Sequence, residues 1–250
     1  VSDNWEGVRN KEHSNMQMKS VRDEFLGYCD LILFPKLRHS WGGAFNGQEF
    51  RQMIFQQIIT SIDIDYIVET GTFRGTTTRY MSNHFFKDIF SVESNRRSYG
   101  YSKLRFLFNN SIHVIHGDSR TFLRDLAVTS NFPLKKIFFY LDAHWQDDLP
   151  LLEKLECIFN LCPQAVIMID DFQVPDDARY GYDKYGPNHS LTMDYLSQLT
   201  AYPKWYFFPV IHSSLETGKK RGCIVITNSN NIKDHLSKLG TLRFYETSSQ

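Results

Sequence analysis

From residue 66 onward the chain carries five short apolar runs at intervals of roughly 20 residues, the rhythm of repeated strand–helix–strand units. They are YIVET (66–70), DIFSVE (88–93), SIHVI (111–115), KIFFYLD (136–142) and AVIMID (165–170). A strand with one wet face alternates apolar and polar residues. These runs do not, so both faces must be covered, which predicts a parallel sheet with helices on either side. Two later runs, KWYFFPVI (204–211) and GCIVIT (222–227), are separated only by a polar, turn-rich linker. No helix fits there, so the pair is expected to be antiparallel. With 250 residues, 42% of them hydrophobic, the chain suffices for one large core.

The segment before the first run has a different character. Residues 1–20 are polar and aperiodic and read as a mobile tail or a partly helical arm. A helix is expected within residues 21–40, ending before Pro35. Trp41–Gly47 is rich in turn residues, and QEFRQMIFQQIITSI (48–62) has helical periodicity with Phe and Met at core spacing. The expected division is an N-terminal arm or lid over 1–48 and the main domain over 49–250.

Lys plus Arg and Asp plus Glu number 28 each. A neutral balance gives no general pull toward nucleic acid or anionic membrane. No run approaches the ~18 apolar residues of a membrane span, and nothing at the start reads as a secretory signal. Cys29, Cys157, Cys162 and Cys223 form no CxxC pair and read as reduced thiols. The expectation is a cytoplasmic protein acting on a small molecule, with neither nucleic acid nor membrane as partner and with the N-terminal arm as a possible homodimer contact. Lys219, Lys220 and Arg221 read as a solvated turn, and Arg96, Arg97 and Arg105 as a solvated helix face.

Chemistry-bearing residues collect at the carboxyl ends of the runs, where open α/β sheets bind ligands. The first run leads into Glu69-Thr70-Gly71-Thr72-Phe73-Arg74-Gly75, and glycines there let backbone approach a ligand. Glu93 ends the second run, placed to accept hydrogen bonds from a ribose diol. Gly117-Asp118-Ser119 follows the third, where an Asp or Ser can meet an adenine amino group. A dinucleotide site would need G-x-G-x-x-G for the pyrophosphate, and Phe73 breaks that pattern.

Residues 66–171 resemble the core of class I S-adenosyl-L-methionine-dependent methyltransferases. Glu69, Thr70, Gly71, Thr72 and Gly75 match the glycine-rich first motif, Glu93 the ribose-binding acid, and Asp118 with Ser119 the adenine-contacting motif. The commoner first motif has an additional glycine where this chain has Thr72, Phe73 and Arg74. The resemblance implies a Rossmann-like, seven-stranded, mostly parallel sheet in the order 3-2-1-4-5-7-6, with an antiparallel C-terminal hairpin and helices on both faces.

A second group is Asp142 at the end of the fourth run and Asp170 and Asp171 at the end of the fifth. Like charges converging at one edge repel unless a cation or proton intervenes. A hard divalent ion with oxygen ligands would resolve this. Capping of the following loops and helices is the plainer use of the same aspartates. LDAHW followed by IDDF is similar to the metal-dependent macrocin-type sugar O-methyltransferases. That likeness implies Mg2+ on Asp142, Asp170 and Asp171, with His144 as general base beside Asp142. Asp147 and Asp148 read as first-turn acids of the next helix. The long loop after Asp171 offers Tyr180, Tyr182, Tyr185 and His189 to an acceptor, His189 being the second candidate base. The function expected is O-methylation of a small-molecule hydroxyl of sugar or natural-product type. The alternatives are a metal-independent N-methyltransferase of a small amine and a non-catalytic cofactor-binding domain of a larger protein.

Overall fold

The computed structural model describes residues 3–128, 135–142, 149–186, 189–202 and 204–246, with side chains from residue 18 onward except those of 127 and 128. The five apolar runs become β1 (Tyr66–Thr70), β2 (Ile89–Glu93), β3 (Ile112–His116), β4 (Ile137–Leu141) and β5 (Ala165–Asp170). Neighbours among them pair in parallel. The late pair forms β6 (Trp205–Pro209) and β7 (Cys223–Thr227), antiparallel as expected, with β7 beside β5.

The expected order holds, with an eighth strand added. β8 (Leu242–Tyr245) lies antiparallel to β6, giving 3-2-1-4-5-7-6-8. Of its four residues only Leu242 is buried. An edge strand this short has one partner and little apolar signal.

Alternate residues of the central strands feed two cores. Val68, Phe139, Leu141, Ile167 and Ile169 face α5 (Ser119–Val128) and α6 (Leu151–Leu161). Ile67, Phe138, Tyr140, Val166 and Met168 face α2 (Glu49–Ser61), α3 (Thr76–His84) and α8 (Asn230–Leu236). This is why the runs carry no polar alternation. A one-turn helix, α7 (Met193–Leu196), follows the tyrosine-rich loop.

The N-terminal segment is more ordered than its polarity suggests. One helix, α1 (Asp3–Leu33), stops just before Pro35 and lies along α4 (Arg96–Arg105). Gly27 and Gly100 let the two backbones touch: a Cβ on Gly27 would lie 2.0 Å from the Arg97 carbonyl oxygen, and one on Gly100 2.2 Å from that of Glu24. Arg97 is therefore no free solvated cation; its guanidinium grips Asp30 with two bonds of 2.6 and 2.7 Å.

Two 3-10 turns, Pro35–Gly42 and Ala44–Gly47, lead into α2. Trp41, Phe45 and Asn46 there have φ of 59°, 50° and 60°, a backbone state that costs a non-glycine residue about 1 kcal/mol or more. Packing offsets it. Phe45 is fully buried, with ring centroids 5.4, 5.8 and 5.1 Å from those of Phe55, Tyr80 and Tyr140. Among the described residues no helix is long and apolar enough to cross a membrane, and all four cysteines are free.

Candidate functional site

The chain leaves β1 through a turn whose Gly71, Phe73 and Gly75 have φ of 95°, 48° and 67°. The amides of Gly71 and Thr72 donate to the Val92 carbonyl at 3.0 and 3.2 Å, tying the turn to the end of β2. At Gly75 no side chain fits: a Cβ would lie 2.4 Å from the Phe106 ring.

Two carboxylates brace this turn. Glu69 is buried, and its Oε2 accepts from the hydroxyls of Thr78 and Ser91, each at 2.5 Å. Ser91 also lies 2.6 Å from the Thr72 hydroxyl. Burial pushes the Glu69 carboxyl up to about 7; the two hydroxyls oppose this, and the charge of Glu93 adds to it. Glu93 accepts the Phe73 amide on Oε2 at 2.6 Å and the Asn95 amide on Oε1 at 2.7 Å. Each of its oxygens keeps a lone pair for a further donor.

The raised Glu69 value has a measurable consequence. Folding favours the protonated acid, so this contribution is complete below 4.5, the ordinary value, and is lost as pH rises to about 7. The rise corresponds to about 3 kcal/mol. Between pH 4.5 and 7, wild type should lose that much more unfolding free energy than Glu69→Gln, read from urea titrations at each pH. Parallel pH profiles for the two proteins would contradict the burial argument.

Asp118 serves another purpose first. It caps α5, accepting from the amides of Arg120 and Thr121 at 2.9 and 3.3 Å. The Arg120 guanidinium covers the same carboxylate at 3.2 and 3.1 Å and pulls its pKa down. Ser119 is buried in the first turn of the helix.

At the neighbouring strand end, Asp142 follows β4, and its amide donates to the Thr70 carbonyl at 3.0 Å. Burial holds its carboxyl well above the usual carboxylate range, reinforced by the charges of Asp171 and Glu69. Asp171, at φ 53°, accepts from Arg221 Nε at 2.6 Å. The same guanidinium also bonds Asp183. Arg221 is thus the bridge between two acids, not the solvated turn residue expected.

Asp170 turns the other way. Its Oδ1 accepts from Arg51 and from the Asp171 amide (2.7 Å), its Oδ2 from Asn46 (3.1 Å) and Tyr140 (2.5 Å). Four donors fill this buried carboxylate, which anchors the Ala44–Gly47 turn to the end of β5. The three expected aspartates therefore divide into a cleft pair, Asp142 and Asp171, and an anchor, Asp170. Among the described residues no three His, Cys, Asp or Glu side chains form a metal-holding group. His144, Asp147 and Asp148 lie outside the described residues.

The tyrosine loop also divides. Tyr180 is a core residue whose hydroxyl donates to the Ile211 carbonyl at 3.2 Å. Tyr182 is half-buried, with Lys184 4.6 Å over its ring. Tyr185 donates to Asp183 at 2.5 Å, and His189 is exposed.

Arg51, Asn46, Gln48, Asp183 and Arg221 escape a reading of strand ends alone. Arg51 did leave a trace: it occupies the buried stripe of α2 with Ile54, Phe55 and Ile58, a spacing that places a cation in the core. Gln48 clamps the Arg221 backbone from both sides, its amide donating to the carbonyl at 2.9 Å and its oxygen accepting from the N–H at 2.8 Å.

No protein-family model and no curated protein sequence matches the chain. Solved structures do. An O-methyltransferase from Bacillus cereus in complex with SAH is 18% identical over 72% of this chain and 81% of its own, with a TM-score of 0.53. The O-methyltransferase TomG from Streptomyces achromogenes, involved in tomaymycin synthesis and in complex with SAM, is 14% identical over 72% and 80%, with a TM-score of 0.51. At such identities the likeness is one of fold, and strand order, hairpin and glycine turn agree with it: the chain has the Rossmann-like fold of the class I S-adenosylmethionine-dependent methyltransferases.

Proposed function

We propose that the protein transfers a methyl group from S-adenosylmethionine to a hydroxyl of a small molecule, assisted by a divalent cation. The observation that carries this reading is the left-handed turn at Gly71–Gly75 braced by Glu69 and Glu93 at adjacent strand ends, with Asp142 following the neighbouring strand β4. In this reading Glu93 accepts the ribose hydroxyls on its remaining lone pairs. Glu69 lies beneath the turn that receives the methionine end. Ser119 borders the adenine, since the Asp118 carboxylate is already engaged.

Asp142 and Asp171 fit a hard cation such as Mg2+. Two oxygen donors whose charges disfavour each other match an ion held by one or two carboxylates plus water and substrate oxygens. When bound, such an ion lowers the pKa of the acceptor hydroxyl. His144 takes the proton, and Tyr182, Tyr185 and His189 border the acceptor. The Arg221 bridge to Asp171 and Asp183 favours a second reading: a guanidinium already offsets part of the charge of those acids, and the same strand ends orient an amine without metal. The magnesium dependence of turnover separates the two.

Calorimetry with S-adenosylhomocysteine tests the cofactor. Wild type should bind it, and Glu93→Gln should weaken binding roughly 10- to 100-fold, as expected for hydrogen bonds to a charged acceptor. Absence of binding by wild type, or equal affinity in the variant, would overturn the assignment.

A further inference from the structure

A second cleft, of about 480 Å³, opens between the end of α1, the Pro35–Gly42 turn and the start of α4. Its volume suits a small molecule, and Phe34 and Leu37 give it an apolar wall. The remaining lining is polar, with Arg74, Asn95, Ser98 and Tyr101. Arg97 and Asp30 also line it, but their two-bond pairing cancels their charges.

Two independent features call for an anion here. The first is Tyr101. It is 1% exposed, and its hydroxyl has no hydrogen-bond partner. A buried hydroxyl left unmatched is costly and rare. The second is a group of arginines around it. Arg74 comes within 6.0 Å of the Tyr101 ring and donates to the Ser40 hydroxyl at 2.9 Å. Arg105 donates to the Arg74 carbonyl at 2.6 Å, and the Arg38 carbonyl accepts from Thr76 at 3.2 Å. Arg38, Arg74 and Arg105 all act electrostatically on Tyr101, and Arg79 acts on Arg105.

Among the described residues none of these four arginines has a carboxylate within salt-bridge distance, whereas Arg51, Arg221 and, in this same cleft, Arg97 each have one. Burial depresses the Arg105 pKa, and the charges of Arg79 and Arg38 add to this while Tyr101 opposes it. In a chain with 28 acids and 28 bases, gathering them beside a single carboxylate, Asp30, that Arg97 already engages is unfavourable unless an external anion completes the group.

We propose that this cleft binds the phosphate group of a small phosphorylated molecule, held by Arg74 and the Tyr101 hydroxyl in its lining, with Arg38 and Arg105 adding positive charge from nearby. Guanidinium forks match the paired oxygens of a phosphate, and the start of α4 adds a favourable dipole. The proposal stands apart from methyl transfer, because binding here is read without cofactor.

The test is calorimetric titration of the full chain with inorganic phosphate, alone and with saturating S-adenosylhomocysteine. Wild type should bind phosphate saturably in both conditions. Tyr101→Phe should bind about tenfold more weakly, the effect of one hydrogen bond to a charged group, with no loss of thermal stability because an unmatched polar atom is removed. Arg74→Gln, which removes a guanidinium from the cleft's lining, should weaken binding by a similar factor. No saturable binding by wild type, or unchanged affinity in both variants, would overturn the proposal. Competition between phosphate and S-adenosylhomocysteine would overturn it too, by assigning the arginines to the cofactor's carboxylate.

Discussion

Replacing Arg51 with methionine should lower the unfolding free energy by about 3–5 kcal/mol, the cost of leaving a buried charge without its partner. Arg51 and Asp170 are each 1% exposed. Methionine fills much of the arginine volume, so loss of packing contributes little. What remains is a carboxylate with three neutral donors, the Asp171 amide, Asn46 and Tyr140, and no cation. The Arg221 carbonyl also loses its bond from Arg51 and keeps only that from Gln48. Adding Asp170→Asn should restore a large part of the loss, since no charge then stays buried. Guanidinium titrations of the two variants measure both effects. A single-variant cost below about 1 kcal/mol, the range of an exposed pair, would mean that water reaches this pair.

Asp142→Asn should reduce methyl transfer by about a thousandfold, the scale of removing a charged group that acts in the transition state. The substitution keeps the shape and the amide bond to Thr70. It removes the negative charge that, in the proposed function, faces the acceptor and the cation. Affinity for S-adenosylhomocysteine should stay within a few-fold, because in the proposed function Glu93, not Asp142, holds the cofactor's ribose. Initial rates on a hydroxyl acceptor identified by screening, together with calorimetry, separate the two effects. A rate within about tenfold of wild type would remove Asp142 from the chemistry.

The strands were legible because burial on both faces leaves no polar alternation, and β1 and β5 begin and end as the runs do. β8 was not, for want of apolar residues. The pair of aspartates shows a finer distinction. Asp170 and Asp171 look equivalent as neighbours in a sequence, yet side chains on a strand alternate between faces. Val166 and Met168 face the core beneath α2, and Asp170 shares their parity. Its position toward Arg51 was therefore written in the strand, while its four donors come from segments as far as 124 residues away. Asp118 carried a similar ambiguity: an acid just before a helix is a good cap wherever else it is useful, and here the cap and Arg120 claim it. The arginines around Tyr101 were beyond reach, because they come from a 3-10 turn, the glycine turn and two helices that only the fold unites.

The clamp between Gln48 and Arg221 spans 173 residues. Contacts of such separation form late, after the loop-closure entropy between them has been overcome. A chain made from its N-terminus therefore presents the glycine turn, its bracing acids and the strands long before the cleft is whole. Through that interval Asp171 and Asp183 lack their shared cation, and the arrival of Arg221 offsets one of the two charges in the same event that fastens the segment ahead of α2. The geometry around Asp171 is thus tied to the arrival of the β6–β7 hairpin, so that a partly made chain has the strand ends of the candidate site without the arginine that fixes one of its acids.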